Sequence, residues 1–415
     1  MQVAIYDFET MTSPPPWVTG VPPLFALIIR EFNCTQTEAS QLSTYALLAL
    51  GLSNIFAAPA TSLIGKRYTI LLSLVLFLVT NAWAAVATSY TSLRTARLLG
   101  GLAGGLIEAL GPTIVAEVFP PHQLARAMVV YVGLLAAGSA LGPIVAGAVA
   151  QTLGDWRWYQ RIIAIAVAVN LVSCILMLPE TTHDARMNWS KALVRTIQPV
   201  QLIAAPQVIV TVLVFGLTVG WSATISILVA TVYAQPPMIW NSLHVGLMSA
   251  APLIGLIIGL PIGGMLADFL SNRAAKSHSH DPATRLPAVL LGALISPAGC
   301  LAVGYGLRDP QAWIKVSAGW AMLSLGLTGS ANILLTHAVD CLPSRAGDVG
   351  ALVNLIKNFL AFGVSYASID WMQRMGPVRQ FAIMAGLLWF AYLLILPVWL
   401  LRKTMLQMTT KFNRA

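Results

Sequence analysis

Eleven long apolar runs constrain this chain more than any other feature of its sequence. Each is about 20 residues long, enough to span the roughly 30 Å hydrocarbon core of a bilayer as a helix. Inside lipid every backbone polar group needs a partner in its own segment, so helices are predicted rather than open strands. The chain is therefore predicted to be an all-α polytopic membrane protein. The runs occupy residues 40–64, 69–89, 93–117, 127–150, 161–178, 208–233, 245–269, 287–307, 313–337, 348–370 and 380–401.

Composition supports a membrane protein and excludes several other classes. Of 415 residues, 57% are hydrophobic and only 9% are charged, whereas soluble domains carry roughly 25% charged residues. The net charge of +9 falls in short loops, where it indicates topology rather than a nucleic-acid surface. A lipid bilayer is the predicted partner, and no nucleic acid is expected.

The sequence contains no arrangement typical of an enzyme. The six histidines are dispersed, with His278-Ser-His280 in a loop only a weak metal candidate, and the four cysteines lack ligand spacing. No phosphate-binding Gly-x4-Gly-Lys-Ser/Thr loop occurs. Such a loop is the signature of nucleotide-driven pumps. We expect neither catalysis nor a metal or cofactor, which leaves an electrochemical gradient as the energy source.

Residues 17–29 are apolar but too short to cross a bilayer, and the Pro22-Pro23 pair interrupts helical hydrogen bonding. We expect this segment to be the second half of a first span whose beginning is missing. Counting it, six spans lie on each side of the polar stretch 179–207. The predicted domains are an N-terminal bundle (1–178), a central cytoplasmic loop (179–207) and a C-terminal bundle with a short tail (208–415).

The distribution of lysine and arginine predicts the orientation. With the amino terminus in the cytoplasm, the cytoplasmic loops and tail hold fourteen of these residues and the opposite side holds nine. The bias places both termini in the cytoplasm. The glycosylation sequon at Asn33 then lies outside, which is consistent with this orientation.

The loop after the second span recurs in both halves of the chain. The first half has Pro59 followed by Gly65-Lys66-Arg67, and the second half has Gly264, Asp268 and Arg273. Small residues there allow two helices to approach closely, and the acid and the base can pair across the cytoplasmic mouth. Two bundles related by such a repeat are typical of secondary transporters.

These features resemble the major facilitator superfamily over nearly the whole chain. The loop after the second span is similar to the family's Gly-x3-Asp-(Arg/Lys)-x-Gly-x-(Arg/Lys)2 motif. Further motifs follow in the family's order: Arg97-Leu-Leu-Gly100-Gly101 in the fourth span, Gly138-x3-Gly142-Pro143-x2-Ala146-Gly147 in the fifth, Trp156-Arg157-Trp158 before the sixth and Pro179-Glu180-Thr181 after it. The fifth-span motif is similar to the family's antiporter signature. The resemblance implies the major facilitator fold of two six-helix bundles, with the first helix truncated.

Three further motifs resemble fungal twelve-span drug:proton antiporters, with the polyamine and organic-cation branch nearest. They are Asn54-Ile55-x3-Pro59, Glu108-x3-Pro112-x4-Glu117 and Asn354-x2-Lys357-Asn358. The resemblance implies a monomeric secondary active transporter that exports drugs, metabolites or polyamines against protons by alternating access. Proton-coupled uptake of a polyamine or related cation is the alternative, and a truncated, transport-inactive protein is a third. We expect the plasma membrane rather than the vacuolar membrane.

Five residues are candidates for the substrate and proton pathway. A charge at the middle of a membrane costs about 2.5–3.5 kcal/mol on insertion scales, so it needs a partner or a wet cavity. Glu108 is the first choice for contacting a cationic substrate or carrying a proton, the alternative being a structural hydrogen bond. Arg97, eleven residues earlier, could share that cavity or stabilise a gate. Lys357 is a buried counter-charge or a snorkelling residue, and Trp221 and Tyr45 either stack on a cation or pack.

A second set of residues is predicted to form gates and close helix contacts. The resemblance implies gating roles for the charges at the cytoplasmic ends of spans, namely Glu117, Arg126, Asp268 and Arg273. Gly138, Gly142, Pro143 and Gly147 are predicted to allow close packing and a bend where the two halves meet.

Overall fold

A computed structural model describes residues 14–118, 121–178, 199–275, 286–342 and 345–401. The regular elements of these ranges are helices, as predicted. They are α1 (Pro14–Thr19), α2 (Phe25–Phe32), α3 (Gln36–Ile64), α4 (Lys66–Ala85), α5 (Tyr90–Val118), α6 (Pro121–Leu153), α7 (Arg157–Met177), α8 (Pro206–Tyr233), α9 (Ser242–Leu247), α10 (Ala250–Ala275), α11 (Val289–Arg308), α12 (Trp313–Gly326), α13 (Asn332–Cys341), α14 (Ala346–Met375), α15 (Pro377–Leu393) and α16 (Ile395–Leu400). Short 3-10 turns lie at Pro22–Leu24, Leu202–Ala204 and Pro310–Ala312.

Ten helical segments within these described ranges are long and apolar enough to cross a membrane. Each coincides with one of the predicted apolar runs, and the remaining run, 93–117, coincides with α5. Three runs differ in detail from an unbroken helix. The run 245–269 is interrupted between α9 and α10, and the run 380–401 is interrupted at Leu394, between α15 and α16. In the run 313–337 a π-helical segment, Leu327–Ala331, joins α12 to α13.

The amino-terminal segment breaks where its prolines predict. α1 ends at Thr19, the 3-10 turn contains Pro22 and Pro23, and α2 then continues to Phe32. Trp17, Leu24 and neighbouring apolar side chains are buried. The segment therefore packs into the protein although it is too short to span lipid as one helix.

Local signals set the ends of α3. The Thr35 hydroxyl accepts from the Glu38 backbone N–H, and the Glu38 carboxylate accepts from the Thr35 backbone N–H at 2.7 Å. This reciprocal pair is a capping box, which satisfies two otherwise unpaired donors. At the other end Gly65 has φ +89°, a conformation that side chains rarely adopt, so glycine permits the tight turn into α4.

The chain divides into two compact units. The first contains Met1–Ile197 and Ser226–Ala250, and the second contains Gln198–Ile225 and Ala251–Ala415. Residues 226–250, which lie in the predicted C-terminal bundle, thus group with the first unit. The predicted limits of the two bundles stay a prediction.

In the first unit α3 and α5 form a close parallel pair. A methyl group added at Gly101 would lie 2.6 Å from the carbonyl oxygen of Ala46, and one added at Gly105 would lie 3.0 Å from the Cα of Leu50. From Gly101 to Gly105 the contact on α5 advances by four residues, and its partner on α3 advances by four in the same direction, from Ala46 to Leu50. The two helices therefore run parallel, and glycine lets their backbones touch.

The second unit repeats this packing with α10 and α12. A methyl group added at Gly255 would lie 2.9 Å from the Cα of Ala321, and one added at Gly263 would lie 2.6 Å from the Cα of Gly329. Steps of four residues again match in the same direction. Here Gly255 and Gly263 lie on the earlier helix, α10, and meet Ala321 of α12 and Gly329 of the π segment that follows it, whereas in the first unit Gly101 and Gly105 lie on the later helix, α5.

Candidate functional site

Glu108 lies deep in α5 and its side chain is only 7% exposed. The register of the parallel pair, in which Gly101 meets Ala46 and Gly105 meets Leu50, places Glu108 level with Ser53 and Asn54 of α3. Asn54 is itself 2% exposed. A buried acid and a buried amide thus occupy one level of the first unit.

Arg97 is held by three groups near the other end of α5. Its side chain is 1% exposed, its Nη1 donates to the carbonyl of Trp17 at 3.0 Å, and its Nε donates to the carbonyl of Leu42 at 3.4 Å. The guanidinium carbon lies 3.6 Å from the centre of the Trp17 ring, a cation–π contact that arginine favours. Arg97 therefore fastens α1 and α3 to α5.

The structure does not bring Arg97 and Glu108 into one site. Both lie on α5, and eleven residues of helix separate them by about 16 Å along its axis. Arg97 is enclosed by Trp17 and backbone carbonyls, whereas Glu108 is level with Asn54. The two charges therefore belong to different environments of the same helix.

Tyr45 lies beside Arg94, the other arginine of α5. The guanidinium carbon of Arg94 lies 5.9 Å from the centre of the Tyr45 ring and 5.7 Å from that of Tyr90. The Tyr90 hydroxyl donates to the backbone carbonyl of Glu38 at 2.9 Å. Tyr45 is half-buried and lies against a cation of the protein itself, and its contact with a cationic solute stays a prediction.

Lys357 and Trp221 lie in the second unit and make internal contacts. Lys357 is 8% exposed, donates to the Asn354 side chain at 3.0 Å and lies 6.0 Å from the centre of the Phe215 ring. Trp221 is fully buried, and its indole N–H donates to the carbonyl of Met384 at 3.0 Å. The indole is therefore packed in this conformation, and its contact with a solute stays a prediction.

The glycine- and proline-rich motif of α6 packs against neighbouring backbones. A methyl group added at Gly147 would lie 3.1 Å from the Cα of Leu243 in α9, and one added at Gly246 would lie 3.2 Å from the carbonyl carbon of Pro143. Gly138 and Gly142 are buried. The motif thus permits close approach within the first unit, and its part in gating stays a prediction.

The predicted gate residues are only partly described. Arg67 donates from Nη2 to the carbonyl of Ile175 at 3.0 Å, in the last turn of α7, where a cation complements the helix dipole. Lys66 opens α4 directly after the turn at Gly65, and Gly264 lies within α10. The remaining gate candidates lie on helices, but their side chains are outside the described part of the chain: Glu117, Arg126, Asp268 and Arg273.

An ion pair that sequence reasoning did not predict lies near the amino end of α7. The Arg157 guanidinium donates to both carboxylate oxygens of Glu31, at 3.0 and 2.5 Å, and the Trp156 indole donates to the same carboxylate at 2.6 Å. These hydrogen bonds, chiefly the one from Arg157, hold the pKa of Glu31 below its usual range. Arg157 also donates to the carbonyl of Ala87. The Trp156-Arg157 dipeptide was the available signal.

The sequence also contained no sign that the side-chain amide of Asn54 is buried and lacks hydrogen bonds to the part of the chain that the structure describes. Neither its Oδ1 nor its Nδ2 has a hydrogen-bond partner among the described residues. Within the same described ranges, no group of three or more histidine, cysteine or acidic residues is arranged to hold a metal ion.

Comparison with known proteins gives a consistent picture. Residues 18–366 match the family model described as Major Facilitator Superfamily. The chain is 25% identical over 374 residues to "Probable efflux pump mfs2" of Aspergillus flavus, covering 82% of this chain and 87% of that protein. It is 25% identical over 368 residues to "Efflux pump FUB11" of Gibberella moniliformis, covering 82% of this chain but 61% of that longer protein.

The fold also matches a solved structure. The structure titled "Crystal structure of D-xylose-proton symporter" superimposes with a TM-score of 0.67 over 94% of this chain and 95% of that one, at 16% sequence identity. At this identity the likeness concerns the fold alone.

Proposed function

The chain belongs to the major facilitator superfamily, and from that premise we propose that it exports small organic solutes against protons. It is a multi-pass membrane transporter and not an enzyme. The relatives named as efflux pumps support export as the direction. The proposed solutes are drugs, metabolites or polyamines, and the proposed location is the plasma membrane.

The observation that carries this proposal is the burial of Glu108. A carboxyl group that is 7% exposed in the middle of an apolar helix costs about 2.5–3.5 kcal/mol if charged, and far less if it binds a proton. The cost of carrying the charge falls when the surroundings become wetter. In alternating access, a site opens to one side of the membrane at a time, so Glu108 takes up a proton on one side and releases it on the other.

The remaining predicted pathway residues have supporting roles in this proposal. Arg97 fixes the position of α5 through Trp17 and Leu42, Tyr45 and Arg94 lie towards one end of the same helix pair, and Lys357 supplies a buried cation in the second unit.

The test is export from yeast cells that lack their own multidrug exporters and express this chain. The cells are preloaded with labelled spermidine and a lipophilic cationic dye, and efflux is followed with and without a proton uncoupler. We expect uncoupler-sensitive export that Glu108→Gln abolishes. Glu31→Gln, the same chemical change at a half-exposed ion pair outside the predicted spans, is the matched control and retains export.

Two results would contradict the proposal. Export that persists in the presence of the uncoupler would exclude proton coupling. Net accumulation of either probe in place of export would favour proton-coupled uptake through the same fold.

A further inference from the structure

Asn54 combines deep burial with unused hydrogen-bonding capacity. Its side chain is 2% exposed, and neither its carbonyl oxygen nor its amino nitrogen has a hydrogen-bond partner among the described residues. Buried polar groups in proteins are nearly always paired, because leaving them unpaired loses their hydration without compensation. An amide with both its donor and its acceptor unpaired is therefore poised for a ligand.

The backbone next to Asn54 offers another acceptor. Pro59 lies within α3, and proline has no N–H to donate to the carbonyl four residues earlier. That carbonyl belongs to Ile55, so it lacks its usual helical donor. The same turn of α3 thus presents an amide group and a backbone carbonyl freed from the helix ladder.

The neighbouring helix keeps this turn within a packed environment. Gly105 of α5 packs directly on Ser53 and Leu50 of α3, and the Ser53 hydroxyl donates to the carbonyl of Leu50 at 3.0 Å. Ser53 is therefore satisfied within its own helix, whereas the side chain of Asn54, the next residue, has no hydrogen-bond partner in the described part of the chain. The register of the pair places Glu108 at the same level.

We propose that Asn54 binds a primary carboxamide of the transported solute. A carboxamide presents an N–H donor beside a carbonyl acceptor, which matches the acceptor and donor of Asn54 in a paired arrangement. Its second N–H is available for the carbonyl of Ile55. This inference rests on the proposed transport function, because it assigns a solute class to the same part of the first unit.

The proposal predicts that removing the amide stabilises the fold but weakens recognition. Replacing an unpaired buried polar group by an apolar group of similar shape is neutral or stabilising. Asn54→Leu should therefore leave the Tm of the purified protein unchanged or raised. The same substitution should abolish discrimination between solutes with and without a carboxamide.

The test uses dye transport into inverted membrane vesicles containing the full chain, with lysinamide and lysine methyl ester as competitors. These two compounds carry the same charges and differ in the amide nitrogen. In the unsubstituted protein lysinamide should inhibit at about tenfold lower concentration than the ester, as expected for the hydrogen bonds gained. In Asn54→Leu the two inhibitory concentrations should become equal.

Asn81→Leu is the matched control. Asn81 is also buried, but its amino nitrogen donates to the carbonyl of Phe77 at 2.7 Å. Its replacement should lower the Tm and leave the preference for lysinamide intact.

Two outcomes would overturn the inference. One is an equal potency of lysinamide and the ester in the unsubstituted protein. The other is a preference for lysinamide that persists in Asn54→Leu, as expected if ordered water or a protein group occupies the amide. Absence of dye transport in the unsubstituted protein would instead contradict the proposed function, so the two failures are distinguishable.

Discussion

The two compact units share a packing arrangement but differ in the polar groups that they bury. Each contains two parallel helices in contact through glycines, α3 with α5 in the first unit and α10 with α12 in the second. In the first unit this pair buries Arg97, Glu108 and Asn54. In the second unit the buried polar groups of the α10–α12 pair and the π segment are hydroxyls such as Thr328 and Ser330.

The two units also differ in how many of these groups are satisfied. In the second unit Thr328 donates to the carbonyl of Ser324 at 3.1 Å, and Ser330 forms a hydrogen bond with Tyr392 at 2.6 Å. Among the described residues, buried atoms without a hydrogen-bond partner occur in both units, on more residues in the first than in the second. In the second unit they belong to Ser296 and Gln380, and in the first to Trp17, Ser43, Asn54, Arg67, Asn81, Arg97 and Gln160.

The two helix pairs share their glycine contacts but differ in the polar side chains that they bury. We therefore assign a structural role to the glycines and a functional role to the polar side chains. Glycine packing holds both helix pairs, since it is present in both. The buried acid Glu108 lies in the first unit, and a bilayer makes such a charge expensive to keep. We therefore expect substitutions of glycines to affect the two units alike and substitutions of polar groups to affect transport mainly through the first.

The largest expected difference is between Glu108→Gln and Lys357→Gln. Glu108→Gln should abolish proton-driven transport, because an amide cannot take up or release a proton. Lys357→Gln should reduce initial transport rates less, because its ammonium is already bonded to Asn354. Initial rates of dye efflux at equal membrane abundance measure both, and a larger loss for Lys357→Gln would reverse the assignment of coupling to the first unit.

The glycine pairs provide the next test. Gly101→Ala and Gly255→Ala should each destabilise the protein by about 1–3 kcal/mol, because the added methyl groups overlap backbone atoms of the facing helix. Thermal unfolding of the purified variants measures the effect. Gly363→Ala is the control, since a methyl group there meets open space. A substantial loss at one position and none at the other would show that the two helix pairs are not equivalent.

Arg97→Lys tests whether the role of Arg97 is structural, namely to hold α1 and α3 against α5. The variant keeps the positive charge but loses the contact of the planar guanidinium with the Trp17 ring and the simultaneous hydrogen bonds to the carbonyls of Trp17 and Leu42. We expect a loss of about 1–2 kcal/mol in stability. The dependence of residual transport on pH should stay as in the unsubstituted protein. A shifted pH profile would instead assign Arg97 to proton coupling.

The smallest effect is expected at the Glu31–Arg157 pair. Its side chains are partly exposed, so Glu31→Gln should cost no more than about 1 kcal/mol. Because the folded-state pKa of Glu31 is lowered, the contribution is present above the unfolded-state pKa of about 4.3 and is lost as pH falls through the folded value. Tm values measured from pH 7 to pH 3 should therefore converge for the two proteins. A constant difference would contradict the ion-pair explanation.

Much of the fold could be predicted because lipid imposes strong rules on sequence. Apolar length located the spans, and Pro22-Pro23 located a break in the first segment. The break between α9 and α10 and the π segment Leu327–Ala331 were not predicted, since both lie within uninterrupted apolar runs. Their positions depend on contacts with neighbouring helices, which hydropathy does not record.

The sequence predicted which polar residues of the candidate site are buried, but not which of them lie close together. Burial of Glu108 and Lys357 followed from their positions in apolar runs, and both are buried. The separation of Arg97 from Glu108 was not predicted, because helical periodicity places them on similar faces without giving their distance from a common cavity. The stacking of Arg97 on Trp17 joins residues 80 positions apart, and such contacts depend on tertiary packing.

The central claim, that Glu108 couples transport to protons, is tested most directly in proteoliposomes containing the purified chain. Two activities are measured with the cationic dye: accumulation driven by an imposed pH gradient, and exchange of labelled for unlabelled dye at equal pH. We predict that Glu108→Gln loses gradient-driven accumulation and retains exchange, because exchange requires solute binding but no net proton movement. Gradient-driven accumulation that survives in Glu108→Gln would contradict the account.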